Sequence, residues 1–161
     1  MKEVFSVIIL HYNQPDYLYT AIDSVLAQSY PAIQLIFSDD GSLDFSVENI
    51  ERYIHEKKQK NIIDFKVIRH QKNVGTVKNL NEAYSQCIGK YVLQFAADDA
   101  LYDSEVLAQF SRALNNVSKE TIGVFARSLD CDENLVWTGK EYLAPDKAEY
   151  FSLLTAEEQY R

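Results

Sequence analysis

Four times between Val4 and Leu114 a short apolar run gives way to an amphipathic helical repeat, and nothing else in the chain narrows its fold as much. Val4 to Leu10 is apolar apart from Ser6, as expected of a strand covered on both faces. After the loop His11-Tyr12-Asn13-Gln14-Pro15-Asp16, the residues Leu18, Ala21, Ile22, Val25 and Leu26 fall at helical spacing. Pro31 breaks that helix, and Ile33 to Phe37 reads as a second strand. Val47, Ile50 and Ile54 mark a second helix, which Ser42 or Asp44 can cap. Ile63 to Ile68 is a third strand. Val77, Leu80, Ala83, Tyr84 and Cys87 give a third helix, with Gly89 as its expected C-terminal cap. A fourth strand runs from Lys90 towards Ala97, and a fourth helix through Val106, Leu107, Phe110, Ala113 and Leu114 can start at Asp103 or Ser104. Such alternation specifies an α/β fold with a mainly parallel sheet and helices on both faces. Beyond it, a fifth strand is expected over 121–128. A turn at Asp132-Glu133-Asn134 should lead into Leu135 to Thr138, and a helix is expected in the tail 145–161. At 161 residues the chain reads as one domain.

Two of the strands end on adjacent carboxylates. Lys90 to Ala97 runs into Asp98-Asp99, and Ile33 to Phe37 runs through Ser38 into Asp39-Asp40-Gly41. In an open parallel sheet, ligands bind outside the carboxyl ends of the strands. Carboxylate pairs there suit a hard divalent cation or a sugar hydroxyl. The plainer reading is helix capping, but Asp103-Ser104 can fill that role after the fourth strand. Asp98 and Asp99 are therefore spare.

The net charge of −8 argues against nucleic acid as a partner, because phosphate backbones call for a basic face. Lys57, Lys58 and Lys60 close a helix and read as a solvated end rather than a binding patch. No apolar run is long enough to span a bilayer. Cys87 and Cys131 lack metal-ligand spacing and read as reduced thiols, so a cytoplasmic setting, including the inner face of the membrane, is expected. The turn after the first strand carries no glycine, which excludes a dinucleotide-binding G-x-G-x-x-G motif. There is no P-loop, and no G-x-S-x-G that would indicate an α/β-hydrolase. Receiver domains share the alternation, but they carry their acidic pair after the first strand.

The segments Ser6 to Asn13, Ala21 to Tyr30 and Asp39-Asp40-Gly41-Ser42-Leu43-Asp44 together resemble the opening of a family 2 glycosyltransferase. Asn73-Val74-Gly75, Lys78-Asn79, Gly89-Lys90-Tyr91-Val92 and the acidic pair at 98 and 99 continue the likeness in order, over about residues 4 to 136. The resemblance implies a Rossmann-like GT-A fold, and sugar transfer from a nucleoside-diphosphate donor to an acceptor hydroxyl. An inverting, metal-dependent reaction, with a UDP-sugar as favoured donor, is what it leads one to expect. By the same resemblance Asp39 bonds the base ring nitrogen and Leu10, His11, Tyr12 and Asn13 line the base pocket, with Tyr12 placed to stack. Asp40, Gly41, Asn73, Gly75 and Lys78 belong to the donor site. Asp98 faces the ribose, and Asp99, with Asp98 as the alternative, holds the Mg2+ or Mn2+ bridging the diphosphate. The sequence departs from the family at Leu10-His11, where many members have proline, and at Ala96-Ala97, where many have an earlier aspartate. No segment between Lys140 and Arg161 matches the part that carries the catalytic base. The expectation is a C-terminally truncated, donor-binding part of an enzyme, which need not be active alone. The alternative is a non-catalytic nucleotide-sugar-binding module. A glycan, lipid or protein acceptor remains open.

Overall fold

A computed structural model of the chain describes residues 3–118 and 120–142. Its elements are β1 (Phe5–His11), α1 (Leu18–Leu26), β2 (Ile33–Asp39), α2 (Val47–Lys57), β3 (Ile62–Arg69), α3 (Thr76–Ser85), β4 (Tyr91–Ala96), α4 (Val106–Asn116), β5 (Ser128–Cys131) and β6 (Trp137–Tyr142). They fall into two compact units, 1–115 and 116–161.

In the first unit β3, β2, β1 and β4 form one sheet in that order, and every pairing is parallel. The strand sequences alternate their apolar side chains between two helical layers. Phe5, Val7, Ile9, Ile33, Leu35 and Phe37 pack with residues of α1, α2 and α4 in one core cluster. Ile8 and Ile36 turn the other way, onto Ala83 and Leu80 of α3. Helices thus cover both faces, as the alternation predicts. Burying an apolar side chain of this size contributes roughly 1.5–3 kcal/mol, so the double layer carries most of the unit's stability.

Polar residues within the strands are placed rather than tolerated. Ser6 donates to Gln34 at 2.6 Å and accepts the Gly89 backbone N–H at 2.8 Å, while Gln34 also accepts from Ile88 N. This ties the segment after α3 to the sheet. It also corrects the role expected for Gly89. The helix ends at Ser85 with Gln86 as its C-cap. At Gly89 a Cβ would sit 2.5 Å from Ser6 N, so the glycine is needed for close approach to β1. The cap of α2 is likewise Ser46, whose Oγ accepts from Asn49 N, not Ser42 or Asp44.

In the second unit β5 and β6 form an antiparallel hairpin. Its turn is held by Asp132 Oδ1, which accepts from Asn134 N and Val136 N. The fifth strand is shorter and later than the expected 121–128. Residues 121–127 form no strand, and Ile122 and Phe125 lie exposed, with no partner strand among the described residues to bury them. The helix expected over 145–161 lies outside the described residues.

Candidate functional site

The parallel register brings four strand ends to one edge. Leu10 pairs with Ser38 on one side and Ala96 on the other, and His11 pairs with Asp39, which pairs with Arg69. Each strand is followed by one of the loops singled out in the sequence. A common edge follows from the topology alone, since every crossover returns the chain to the same end of a parallel sheet.

The loops after β1 and β2 are laced together by buried polar groups. Asp39 is 0% exposed, and its Oδ1 accepts from His11 Nδ1 at 2.8 Å and Ser42 Oγ at 2.5 Å. Its Oδ2 accepts the backbone N–H groups of Gly41 and Ser42 at 3.1 and 3.0 Å. His11 is 4% exposed, and its Nε2 faces the Gln14 backbone N–H at 3.3 Å. With Nε2 facing that N–H as acceptor, Nδ1 is the ring nitrogen that donates to Asp39. Burial alone would push the Asp39 carboxyl up; the hydrogen bonds from His11 and Ser42 more than cancel it and hold it below its ordinary value. Two further bonds join the loops: Asn13 N donates to Ser42 Oγ at 2.8 Å, and Leu43 N donates to Asn13 Oδ1 at 3.3 Å. Asn13 takes a φ of 51° to do so, a left-handed conformation that Asn tolerates better than most residues.

The loop after β3 is held by the second member of the pair. Asp40, 4% exposed, accepts Val74 N at 2.7 Å and Gly75 N at 3.0 Å, one on each oxygen. Gly41 lies against the same loop with a φ of 78°, and a Cβ there would stand 2.5 Å from the Lys72 carbonyl carbon. Gly75 has a φ of 87° and no neighbour within 4 Å of its missing Cβ, so it is required by backbone conformation and not by space. Asn73 Oδ1 also accepts Gly75 N, at 3.0 Å.

Beyond β4 the arrangement differs. Asp98 and Asp99 are both exposed, and among the described residues neither forms an ion pair or receives a side-chain hydrogen bond. Desolvation and then the neighbouring Asp98 charge push the Asp99 carboxyl above its ordinary value, against the backbone N–H of Ala96. The Ala97 N–H donates to Leu10 O at 2.8 Å, which sets the acidic pair beside the loop after β1.

Most residues expected at a donor site therefore meet at one edge. Leu10, His11, Tyr12 and Asn13 lie against Asp39, Asp40 and Gly41, and these against Asn73 and Gly75. Lys78 stands exposed in the first turn of α3. The expected direct contact between Asp39 and a base needs correction, because its oxygens are fully taken by protein donors and no part of it reaches the surface. Tyr12, by contrast, is 45% exposed. Two contributors go beyond the residues expected to bind the donor. Ser42, read as a helix cap, is the hub between the two loops. Arg69 donates to Ser42 O at 3.2 Å and stands 4.0 Å from Asp39. A His and an Asp closing adjacent parallel strands were the available signal.

Among the described residues no three His, Cys, Asp or Glu side chains converge on a point that could hold a metal ion. Two exposed carboxylates at a strand end do fit an ion that takes its remaining oxygens from a bound diphosphate and water, as Mg2+ commonly does.

This geometry agrees with what the chain resembles. Glycosyltransferase GlyG of Streptococcus pneumoniae is 24% identical over 151 residues, covering 92% of this chain and 48% of that relative. The chain thus spans about half the length of that curated relative. The structure of Staphylococcus aureus TarS 1-349 in complex with UDP-GlcNAc matches with a TM-score of 0.59 and 27% identity, over 69% of this chain and 31% of that one. Mannosyltransferase PcManGT from Pyrobaculum calidifontis, solved with GDP-Man and Mn2+, matches in fold with a TM-score of 0.62 at 20% identity, over 70% and 32% of the two chains. The sheet and its flanking helices are those of a GT-A glycosyltransferase. With the model described as "Glycosyl transferase family 2" matching residues 6–156, the chain belongs to that family.

Proposed function

We propose that the chain binds a nucleoside-diphosphate sugar, as the donor-binding part of one GT-A domain whose enzyme transfers the sugar to an acceptor hydroxyl. The observation that carries this reading is the pair of exposed carboxylates, Asp98 and Asp99, set beside a loop that presents Tyr12 at the carboxyl edge of the sheet. In this reading Tyr12 stacks on the base and Asn13 borders it. Asn73, Gly75 and Lys78 face the phosphates. Asp98 lies towards the ribose, and Asp99 holds Mg2+ or Mn2+. Such an ion neutralises a diphosphate and stabilises it as a leaving group. The UDP-GlcNAc bound by TarS favours a UDP-sugar. Inversion at the anomeric carbon is the outcome we expect. Two free thiols, Cys87 and Cys131, fit a cytoplasmic setting, and no helix among the described residues is long and apolar enough to cross a membrane.

Calorimetric titration of the chain with UDP, GDP and ADP, each in Mn2+ and in chelator, tests the reading. Binding of one diphosphate in Mn2+, weakened by chelator, is expected. No heat from any of the three would sink it.

A further inference from the structure

Helix α1 belongs to the sequence stretch Ala21 to Tyr30 that matches the family, yet its C-terminal part lines none of the donor-site loops described above. Its polar side chains point elsewhere. Gln28, just beyond the end of the helix, is 3% exposed and fully occupied. Its Nε2 donates to Ser24 O at 3.0 Å and to Asp103 O at 2.5 Å, and its Oε1 accepts Leu107 N at 3.0 Å. Two carbonyls on the nitrogen and one N–H on the oxygen fix the amide in a single orientation. The backbone carbonyl of Gln28 accepts Asn61 Nδ2 at 2.6 Å, which anchors it to the turn before β3.

Its neighbours reach the same segment. Ser24 Oγ accepts Leu101 N at 3.1 Å, Ser29 N donates to Ser104 O at 2.8 Å, and Ser29 Oγ donates to Glu105 at 2.5 Å. Every one of these bonds falls within Leu101 to Leu107, the stretch that begins two residues after Asp99. At the other end Ala97 is held by β1 through Leu10 O. The acidic pair therefore sits on a short arch fixed at both feet, one on β1 and one on α1.

We propose that Gln28 is a positioning residue for the donor site: through Asp103 and Leu107 it holds the distal foot of the arch that carries Asp98 and Asp99. It touches neither donor nor ion. Carboxylates that share a metal with a substrate must be held to within a fraction of an ångström, and groups that orient ligands are often worth 10-fold or more in affinity. Four polar groups that would otherwise compete for water are spent on this one joint. The inference rests on the metal-assisted donor site proposed above.

The test compares wild type, Gln28→Ala, Ser24→Ala and Ile54→Val. Ile54 lies buried on α2 with no bond to the arch, and its variant serves as the control for simple destabilisation. Amide hydrogen exchange is read at Leu101 and Leu107 against the amides of β2, and UDP affinity is measured in Mn2+ and in chelator. For Gln28→Ala the two arch amides should exchange faster while β2 stays protected. The gain in UDP affinity from Mn2+ should fall about 10-fold, with affinity in chelator unchanged. Ser24→Ala, which removes one bond to the arch together with the Oγ bond to Ala21 O within α1, should show the same pattern more weakly, and it decides the matter should Gln28→Ala fail to fold. Ile54→Val should keep the full Mn2+ gain. Retention of the Mn2+ gain in both arch variants, or exchange rising equally in β2, overturns the positioning role and leaves the donor site standing. No Mn2+ gain in wild type overturns the metal reading and this inference with it.

Discussion

Asp39-Asp40 and Asp98-Asp99 each close a strand of the same sheet, but the first pair is 0% and 4% exposed while the second is open to solvent. Their electrostatics diverge accordingly. Asp39 overcomes its burial through bonds from His11 and Ser42 and is held low, whereas desolvation and the charge of Asp98 push Asp99 up. The same two letters thus serve opposite ends. A carboxylate that accepts four protein donors is an internal tie, and it fixes the loops that surround a ligand. A carboxylate to which no side chain donates keeps most of its coordinating capacity for something else. The difference comes from the neighbours: β2 lies between two strands whose ends offer His11 and Arg69, while β4 has only β1 beside it among the described strands.

The comparison breaks most sharply at Asp39. Asp39→Ala leaves His11 Nδ1, Ser42 Oγ and two backbone N–H groups without their acceptor. Removing one member of such a buried set costs roughly 3–5 kcal/mol, read as a shift in urea unfolding. A loss below about 1 kcal/mol would mean that the tie is not structural. The pH dependence follows with a definite sign. Because the folded carboxyl lies below its ordinary value of 3.8, it stabilises the fold above that value. The contribution is lost as pH falls from there through the lowered folded value, so Asp39→Asn should flatten the acid limb of the stability profile. Next in size is Gly41→Ala. It forces a side chain into a left-handed backbone and against the Lys72 carbonyl carbon, for roughly 1–3 kcal/mol. UDP affinity should fall as well, since the loop 72–75 must shift. An Ala variant with unchanged stability would show that the two loops are not packed as described.

The sheet, its helices and their order were legible because apolar spacing reports burial directly, and β1, α1 and α2 match it closely. Capping was less legible. Ser42 and Ser46 are equally good caps by residue type, and only the pull of Asp39 on Ser42 decides between them. Gly89 reads as a helix end in sequence, yet its reason lies in β1, more than eighty residues earlier in the chain. The residues expected at a donor site gather at one edge, since they follow strands that end there together. The division of labour within the set was not legible. No local pattern distinguishes an Asp that faces a His across two parallel strands from one that faces water. Gln28 escaped for the same reason: its three side-chain partners lie up to 79 residues away.

The smallest effect on the fold, and the most informative about function, is expected at Asp99. The side chain is exposed and no side chain donates to it, so Asp99→Asn should change stability by no more than about 0.5 kcal/mol. Relief from the Asp98 charge points in the stabilising direction, because the carboxylate form is the one its surroundings disfavour. Against this flat background the ligand response should change completely. An amide is a far weaker ligand for a hard divalent ion than a carboxylate, so the gain in UDP affinity from Mn2+ should disappear in calorimetry while affinity in chelator stays as in wild type. The paired outcome is what separates the two acidic pairs. Asp39→Ala should lose stability with or without Mn2+, and Asp99→Asn should lose only what Mn2+ adds. Should Asp99→Asn keep the Mn2+ gain, Asp98→Asn made in parallel decides whether the duty falls on the neighbouring carboxylate. If both single variants keep it, this edge of the sheet holds no metal.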